Sequence, residues 1–128
     1  MNLTHPLAVD TWGAEERAAV MAVLESERVT MWTKTREFEY AFARRLGVAH
    51  AVMVNSGSSA NLIAVAAMEQ ALRRQGRTLR GKVAIVPAIA WATTYAPLHQ
   101  HGMRLRVVDV NIDTLNIDPR IVRNAICP

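Results

Sequence analysis

The sequence contains very little cysteine and no long apolar run. One cysteine, Cys127, occurs in 128 residues. A single thiol excludes a disulfide framework and fits a reducing compartment. No stretch reaches the ~18 consecutive apolar residues of a membrane span, and the N-terminal sequence MNLTHPLAVDTWGAEE lacks the charged and apolar regions of a signal peptide. We therefore expect a cytoplasmic protein with no membrane partner.

Several ligand-binding signatures are also missing. The sequence has neither G-x-G-x-x-G nor G-x-x-x-x-G-K-[ST], which excludes a dinucleotide fingerprint and a Walker loop. The segment from Asp109 begins like a calcium loop, but Thr114 and Arg120 stand where the loop needs glycine and glutamate. We expect no metal site, and we interpret Asp109, Asp113 and Asp118 as turn and cap residues.

Positive charge exceeds negative charge, with 15 Lys and Arg against 11 Asp and Glu, a net charge of +4. Part of the excess lies in residues 73–82, RRQGRTLRGK. A basic run of this kind could bind nucleic acid. It has no interleaved aromatic residue for base stacking and lies where a helix must end, so the sequence favours a solvated loop.

Helical and strand-like periods alternate along the chain. Helices are predicted at 14–26, 34–46, 59–75 and 92–100, with a fifth beginning at Asp118-Pro119. Strands are predicted at 50–54, 82–86 and 104–110. This alternation predicts an α/β fold with a parallel sheet. Because three strands are few for a sheet of that class, we expect a fragment of a longer protein.

The segment Asn55–Asn61, NSGSSAN, joins the first predicted strand to the helix that follows it. A helix N-terminus has unpaired N–H groups and a positive dipole end, and both favour a phosphate. Gly57 lets the backbone approach a ligand closely, and Ser58 and Ser59 add hydroxyl donors. The segment is therefore a candidate phosphate site, although a plain helix N-cap explains the same residue types.

Three motifs, VNSGSSANLIAVAAM, VPAIAWATTYAPLHQHG and VVDVNIDTLNID, resemble the sugar-nucleotide aminotransferases of the DegT/DnrJ/EryC1/StrS family. The resemblance runs from about Pro6 to the end of the chain. It implies an α/β fold, namely a partial large domain of the pyridoxal-phosphate-dependent type I (aspartate aminotransferase) fold with mainly parallel strands. Residues 1–33 would form an N-terminal arm and helix, and residues 34–128 the truncated first part of the cofactor-binding large domain.

The resemblance also implies a cofactor, pyridoxal 5'-phosphate or pyridoxamine 5'-phosphate, and residues that hold it. Gly57, Ser58 and Ser59 match the positions at the cofactor phosphate. Trp91 matches the aromatic residue that stacks on the pyridine ring, a contact that suits a flat indole. From the residues alone, Trp91 would be interpreted as a core aromatic after a strand.

Within the family, PLAVDTWGAEE, VTMW and AWATTYAPLHQHG are most similar to the GDP-4-keto-6-deoxymannose 3-dehydratases. This branch removes the C3 hydroxyl of a nucleotide-linked 4-keto-6-deoxy sugar. Thr30, Met31 and Trp32 match the segment near that substrate, with Trp32 standing where the branch carries glycine. The alternatives are a sugar-nucleotide aminotransferase of the same family and a non-catalytic, phosphate-binding relic.

The resemblance places the decisive catalytic residue outside this chain. A transaminase needs a lysine for its Schiff base, and the sequence contains only Lys34 and Lys82, neither of which matches the family position. The resemblance implies that this lysine, or the histidine that replaces it in the dehydratases, lies beyond residue 128. We therefore expect no catalytic residue here, an inactive chain in isolation, and a homodimer for the full-length protein.

Overall fold

The computed structural model describes residues 8–126, so that Cys127 and Pro6 lie outside the described residues. The described residues divide into two compact units, residues 8–53 and residues 54–126. Within residues 8–126, every helix is too short or too polar to cross a membrane.

The first unit contains helices α1 (Ala14–Glu25) and α2 (Thr33–Leu46). Both agree with the predicted helices to within one residue at each end. The N–H of Gly13 donates to the Glu16 carboxylate at 2.7 Å and so closes the start of α1. Gly47 ends α2, because its φ of 68° is a left-handed conformation that glycine adopts without a steric cost.

α2 carries an apolar stripe that stays uncovered in the described structure. The rings of Phe38 and Phe42 stack with their centroids 5.4 Å apart. Both side chains are about half exposed, as is that of Leu46, whereas the smaller Ala43 is buried. The four-residue spacing of these side chains thus places them on one face of the helix, but it does not determine what covers that face.

The second unit has alternating helices and strands. Its elements are α3 (Gly57–Arg73), β1 (Val83–Pro87), α4 (Ala92–Gln100), β2 (Arg104–Val108) and α5 (Pro119–Ile126). β1 and β2 form a parallel pair that begins with Val83 opposite Arg104 and ends with Pro87 opposite Val108. Val86 and Val108 are buried, and α4 connects the two strands as in a βαβ unit. The predicted α/β class with parallel strands is confirmed.

The predicted strand at 50–54 is wrong, since these residues form no strand in the described structure. A strand requires a neighbour that pairs with its N–H and C=O groups. None of the described strands pairs with this segment. The N–H of Met53 instead donates to the Glu39 carboxylate at 2.8 Å.

Glu69 is buried near the end of α3 and was not singled out by the sequence. Its Oε1 accepts from Arg73 Nε at 2.7 Å and from Thr78 Oγ1 at 2.9 Å. Its Oε2 accepts from the buried N–H of Leu79 at 2.7 Å. The bond from Leu79 and then that from Arg73 lower the pKa of Glu69 to about 2. The carboxylate therefore attaches the end of α3 to the loop that leads into β1.

Candidate functional site

The first turn of α3 is capped by a serine one residue before the predicted phosphate-binding positions. Ser56 has an extended backbone, and its Oγ accepts from the N–H of Ser59 at 3.2 Å. The carbonyl of Ser56 accepts from the N–H of Ala60 at 3.0 Å. A helix N-cap, the alternative explanation of this segment, is therefore present. It occupies the N–H of Ser59.

The N–H groups of Gly57 and Ser58 remain open at the start of this helix. No described residue accepts a hydrogen bond from either of them. Both residues are exposed, and a Cβ built on Gly57 would meet nothing within 4 Å. The helix behind them has 17 residues, so its dipole adds positive potential at the same place. Two donors, open space and positive potential together form an anion-binding geometry.

Trp91 lies after β1, at the N-cap of α4. Its side chain is 78% exposed. The interpretation of Trp91 as a core aromatic is therefore wrong for the described structure. An exposed indole at a strand-to-helix turn is available to a flat ligand.

The beginnings of α3 and α4 meet within the second unit. Asn61 Nδ2 in α3 donates to the carbonyl of Thr93 in α4 at 3.5 Å. A hollow of about 100 Å³ lies between the two helices, and it is lined by Ser58, Leu62, Thr93, Ala96, Pro97 and Gln100. Ser58, at the predicted phosphate-binding turn, and Thr93, two residues after Trp91, thus border one hollow.

The predicted substrate segment belongs to the first unit, in the loop between α1 and α2. Thr30 and Trp32 line a groove of about 530 Å³, whereas Met31 is exposed and does not line it. The guanidinium groups of Arg28 and Arg36 lie 5.4 Å and 5.9 Å from the centroid of the Trp32 ring. Neither arginine was predicted from the sequence as part of this segment, although each stands four residues from Trp32.

Two of the three aspartates of the calcium-like segment lie in a turn and at a helix cap. Asp109 Oδ1 accepts from the N–H of Val110 at 2.8 Å. Asp118 Oδ1 accepts from the N–H of Arg120 at 2.8 Å, at the start of α5. The hydrogen bonds from the side chain and the backbone of Arg120 lower the pKa of Asp118. The prediction is confirmed for Asp113, which lies in a turn, and for Asp118, which caps α5, whereas Asp109 lies in neither a turn nor a cap.

The two lysines of the sequence lie on α2 and immediately before β1, and both are exposed. Lys34 Nζ lies 2.7 Å from Glu37 Oε2 in an exposed ion pair on α2. Lys82 precedes β1, and its carbonyl accepts from the N–H of Arg104 at 2.8 Å.

Comparison with known proteins identifies relatives over nearly the whole chain. The profile of the DegT/DnrJ/EryC1/StrS aminotransferase family matches residues 10–128. The chain is 42% identical over 124 residues to the GDP-4-keto-6-deoxy-D-mannose 3-dehydratase of Escherichia coli O55:H7, and the match covers 97% of this chain and 31% of the relative.

Several solved structures are similar in fold. The E. coli GDP-4-keto-6-deoxy-D-mannose-3-dehydratase with bound hydrated PLP has a TM-score of 0.82 and 42% identity, over 95% of this chain and 31% of that one. A mutant GDP-4-keto-6-deoxymannose-3-dehydratase with bound GDP-perosamine has a TM-score of 0.81 and 42% identity, over the same shares of both chains. The chain thus spans about 31% of the length of these proteins. It belongs to the DegT/DnrJ/EryC1/StrS aminotransferase family.

Proposed function

We propose that this chain is the N-terminal part of a pyridoxal- or pyridoxamine-phosphate-dependent enzyme that removes the C3 hydroxyl of a nucleotide-linked 4-keto-6-deoxy sugar. Family membership and the 42% identity to a GDP-4-keto-6-deoxy-D-mannose 3-dehydratase support this function. The observation that carries it is the pair of open N–H groups at Gly57 and Ser58, together with the exposed indole of Trp91.

These residues fit the two chemically distinct ends of the cofactor. The phosphate would be held by the N–H groups of Gly57 and Ser58 and by the Ser58 hydroxyl. Ser59 would contribute through its hydroxyl, since its N–H is already bonded to Ser56. The indole of Trp91 would orient the pyridine ring by stacking. When bound, the cofactor supplies an electron sink for the carbon from which a proton is removed.

We further propose that the loop of the first unit binds part of the sugar nucleotide. Thr30 and Trp32 line the groove there, and Met31 lies exposed between them. Arg28 also lines the groove and adds a guanidinium that suits a diphosphate. The proposal includes a homodimer and the division into an arm, residues 1–33, and the first part of the cofactor-binding domain, residues 34–128.

A sugar-nucleotide aminotransferase remains the second candidate, because the matching family is named for that activity. Product analysis of a protein that contains this chain within a full-length sequence separates the two reactions. Mass spectrometry after incubation with a GDP-linked 4-keto-6-deoxy sugar is expected to show loss of the C3 oxygen. Gain of an amino group at C4 would establish the aminotransferase, and binding of the cofactor without conversion would indicate a relic.

The Trp91→Ala substitution is expected to weaken binding of pyridoxal phosphate by roughly fivefold to a hundredfold, the usual range for loss of an aromatic stacking partner. Affinity for inorganic phosphate is expected to stay unchanged, because the open N–H groups are on α3. Isothermal titration of both ligands measures the two effects. Trp12→Ala, at another exposed tryptophan, is the control. Equal affinities of the Trp91→Ala variant and wild type for the cofactor would remove Trp91 from the site.

A further inference from the structure

The bend that carries Trp91 is bridged by a tyrosine hydroxyl. Tyr95 Oη donates to the carbonyl of Pro87, the last residue of β1, at 2.7 Å. Tyr95 belongs to the first half of α4 and is half-buried. The bond therefore joins the strand and the helix on either side of the bend.

Two backbone hydrogen bonds hold the same bend at its ends. The N–H of Ala88 donates to the carbonyl of Val108 at 2.8 Å and extends the ladder with β2 by one residue. The N–H of Thr94 donates to the carbonyl of Trp91 at 2.8 Å and closes the first turn of α4. Within the bend, Ile89 is 62% exposed and Trp91 is 78% exposed. The bend buries little apolar surface, so that its conformation depends mainly on polar bonds.

The bond from Tyr95 differs from the other two because it crosses the whole bend. It connects residues eight positions apart and encloses Trp91 in the segment that it closes. Without it, the Pro87 carbonyl loses this donor, and the bend is held only at its two ends. Loss of one such hydrogen bond changes an equilibrium by about two- to tenfold.

We propose that Tyr95 is a positioning residue for Trp91. It fixes the β1–α4 bend through the Pro87 carbonyl and so presents the indole in the orientation that stacks on a flat cofactor ring. This inference rests on the proposed function of Trp91. It means that the orientation of the indole depends on Tyr95, a residue that does not itself touch the ligand.

The test uses Tyr95→Phe, which keeps the ring and removes only the hydroxyl. The matched control is Tyr40→Phe, at the second tyrosine of the chain, which is 67% exposed on α2. Both variants and wild type are labelled with 5-fluorotryptophan. The fluorine resonances of Trp12, Trp32 and Trp91 are assigned by single Trp→Phe substitutions.

In Tyr95→Phe, the resonance of Trp91 is expected to shift or broaden while those of Trp12 and Trp32 stay in place. The dissociation constant of pyridoxal phosphate is expected to rise about two- to tenfold, with the affinity for inorganic phosphate unchanged. Tyr40→Phe is expected to change neither quantity. General destabilisation would lower the affinity for both ligands, so a loss of cofactor affinity alone distinguishes a positioning role from a structural one.

The inference is overturned by an unchanged Trp91 resonance, or by wild-type cofactor affinity in Tyr95→Phe. A variant in which all three tryptophan resonances move and both ligands weaken together also overturns it, since that pattern reports a structural role. A wild-type chain that binds inorganic phosphate but no pyridoxal phosphate contradicts the proposed function instead. The Trp91 resonance then still decides whether Tyr95 holds the bend.

Discussion

The Gly57→Asp substitution is expected to weaken binding of pyridoxal phosphate by between about fivefold and a thousandfold. A carboxylate at this position would lie near any phosphate held by the N–H groups of Gly57 and Ser58. Two unit charges ~4 Å apart repel by about 1 kcal/mol in water and about 4 kcal/mol at an effective dielectric constant of 20. Since each 1.4 kcal/mol is a factor of about ten, this repulsion spans the stated range.

The same substitution is expected to leave the fold intact or to stabilise it. A Cβ at Gly57 meets nothing within 4 Å, and the first turn of α3 contains no acidic residue. An added carboxylate at a helix N-terminus contributes about 0.3–1 kcal/mol through the dipole. Ligand affinity and stability should therefore change in opposite directions, and isothermal titration and thermal unfolding measure the two.

Gln70→Glu is the matched control for the charge. It adds the same negative charge to an exposed position of α3, thirteen residues from Gly57 and near the other end of the helix. Its cofactor affinity is expected to equal that of wild type. If Gly57→Asp bound the cofactor as tightly as this control, the phosphate would not lie at the start of α3.

The Glu69→Gln substitution is expected to lower the Tm by roughly 5–15 °C, a shift typical of a lost buried network in a domain of this size. The Glu69 carboxylate accepts from Arg73, Thr78 and the buried N–H of Leu79. An amide accepts through one atom only, so at least one of these donors loses its partner. Thermal unfolding followed by circular dichroism measures the shift, and amide exchange at Leu79 localises it.

The contribution of Glu69 is expected to disappear in acid. Its pKa falls from 4.5 to about 2 on folding, so its stabilising effect is complete above pH 4.5 and is lost as the pH falls from 4.5 towards 2. The difference in Tm between wild type and Glu69→Gln should therefore be largest at neutral pH and should shrink over that window. A difference that stayed constant down to pH 2 would show that the charge of Glu69 is not the cause.

Glu37→Gln provides the comparison with an exposed ion pair. Glu37 lies 2.7 Å from Lys34, and both side chains are more than half exposed. Exposed pairs contribute little because water and salt screen them. The Tm of Glu37→Gln should remain within about 2 °C of wild type.

The helices were predictable because their signals are local. The predicted bounds of α4 agree with the structure, and those of α1 and α2 differ by at most one residue at each end. A 3.6-residue period and a left-handed glycine such as Gly47 act within a few residues of the chain. α3 begins at Gly57, two residues before the prediction, because Ser56 provides the cap.

The pairing of strands could not be predicted in the same way. The runs at 83–87 and 104–108 pair with each other, whereas the run at 50–54, which is also mainly apolar, has no partner among the described strands. A strand is stable only when a second segment satisfies its backbone groups. The sequence of one segment does not contain that information.

In the candidate site, too, some features follow from the local sequence and others only from the tertiary structure. The sequence by itself determined that a capped turn with Gly57 opens α3, because capping residues and glycine have local conformational preferences. Only the tertiary structure decided that Trp91 is exposed, that Tyr95 reaches the Pro87 carbonyl and that Glu69 meets Leu79. Burial and long-range hydrogen bonds depend on which segments meet in space, and the local preferences of one segment do not specify this.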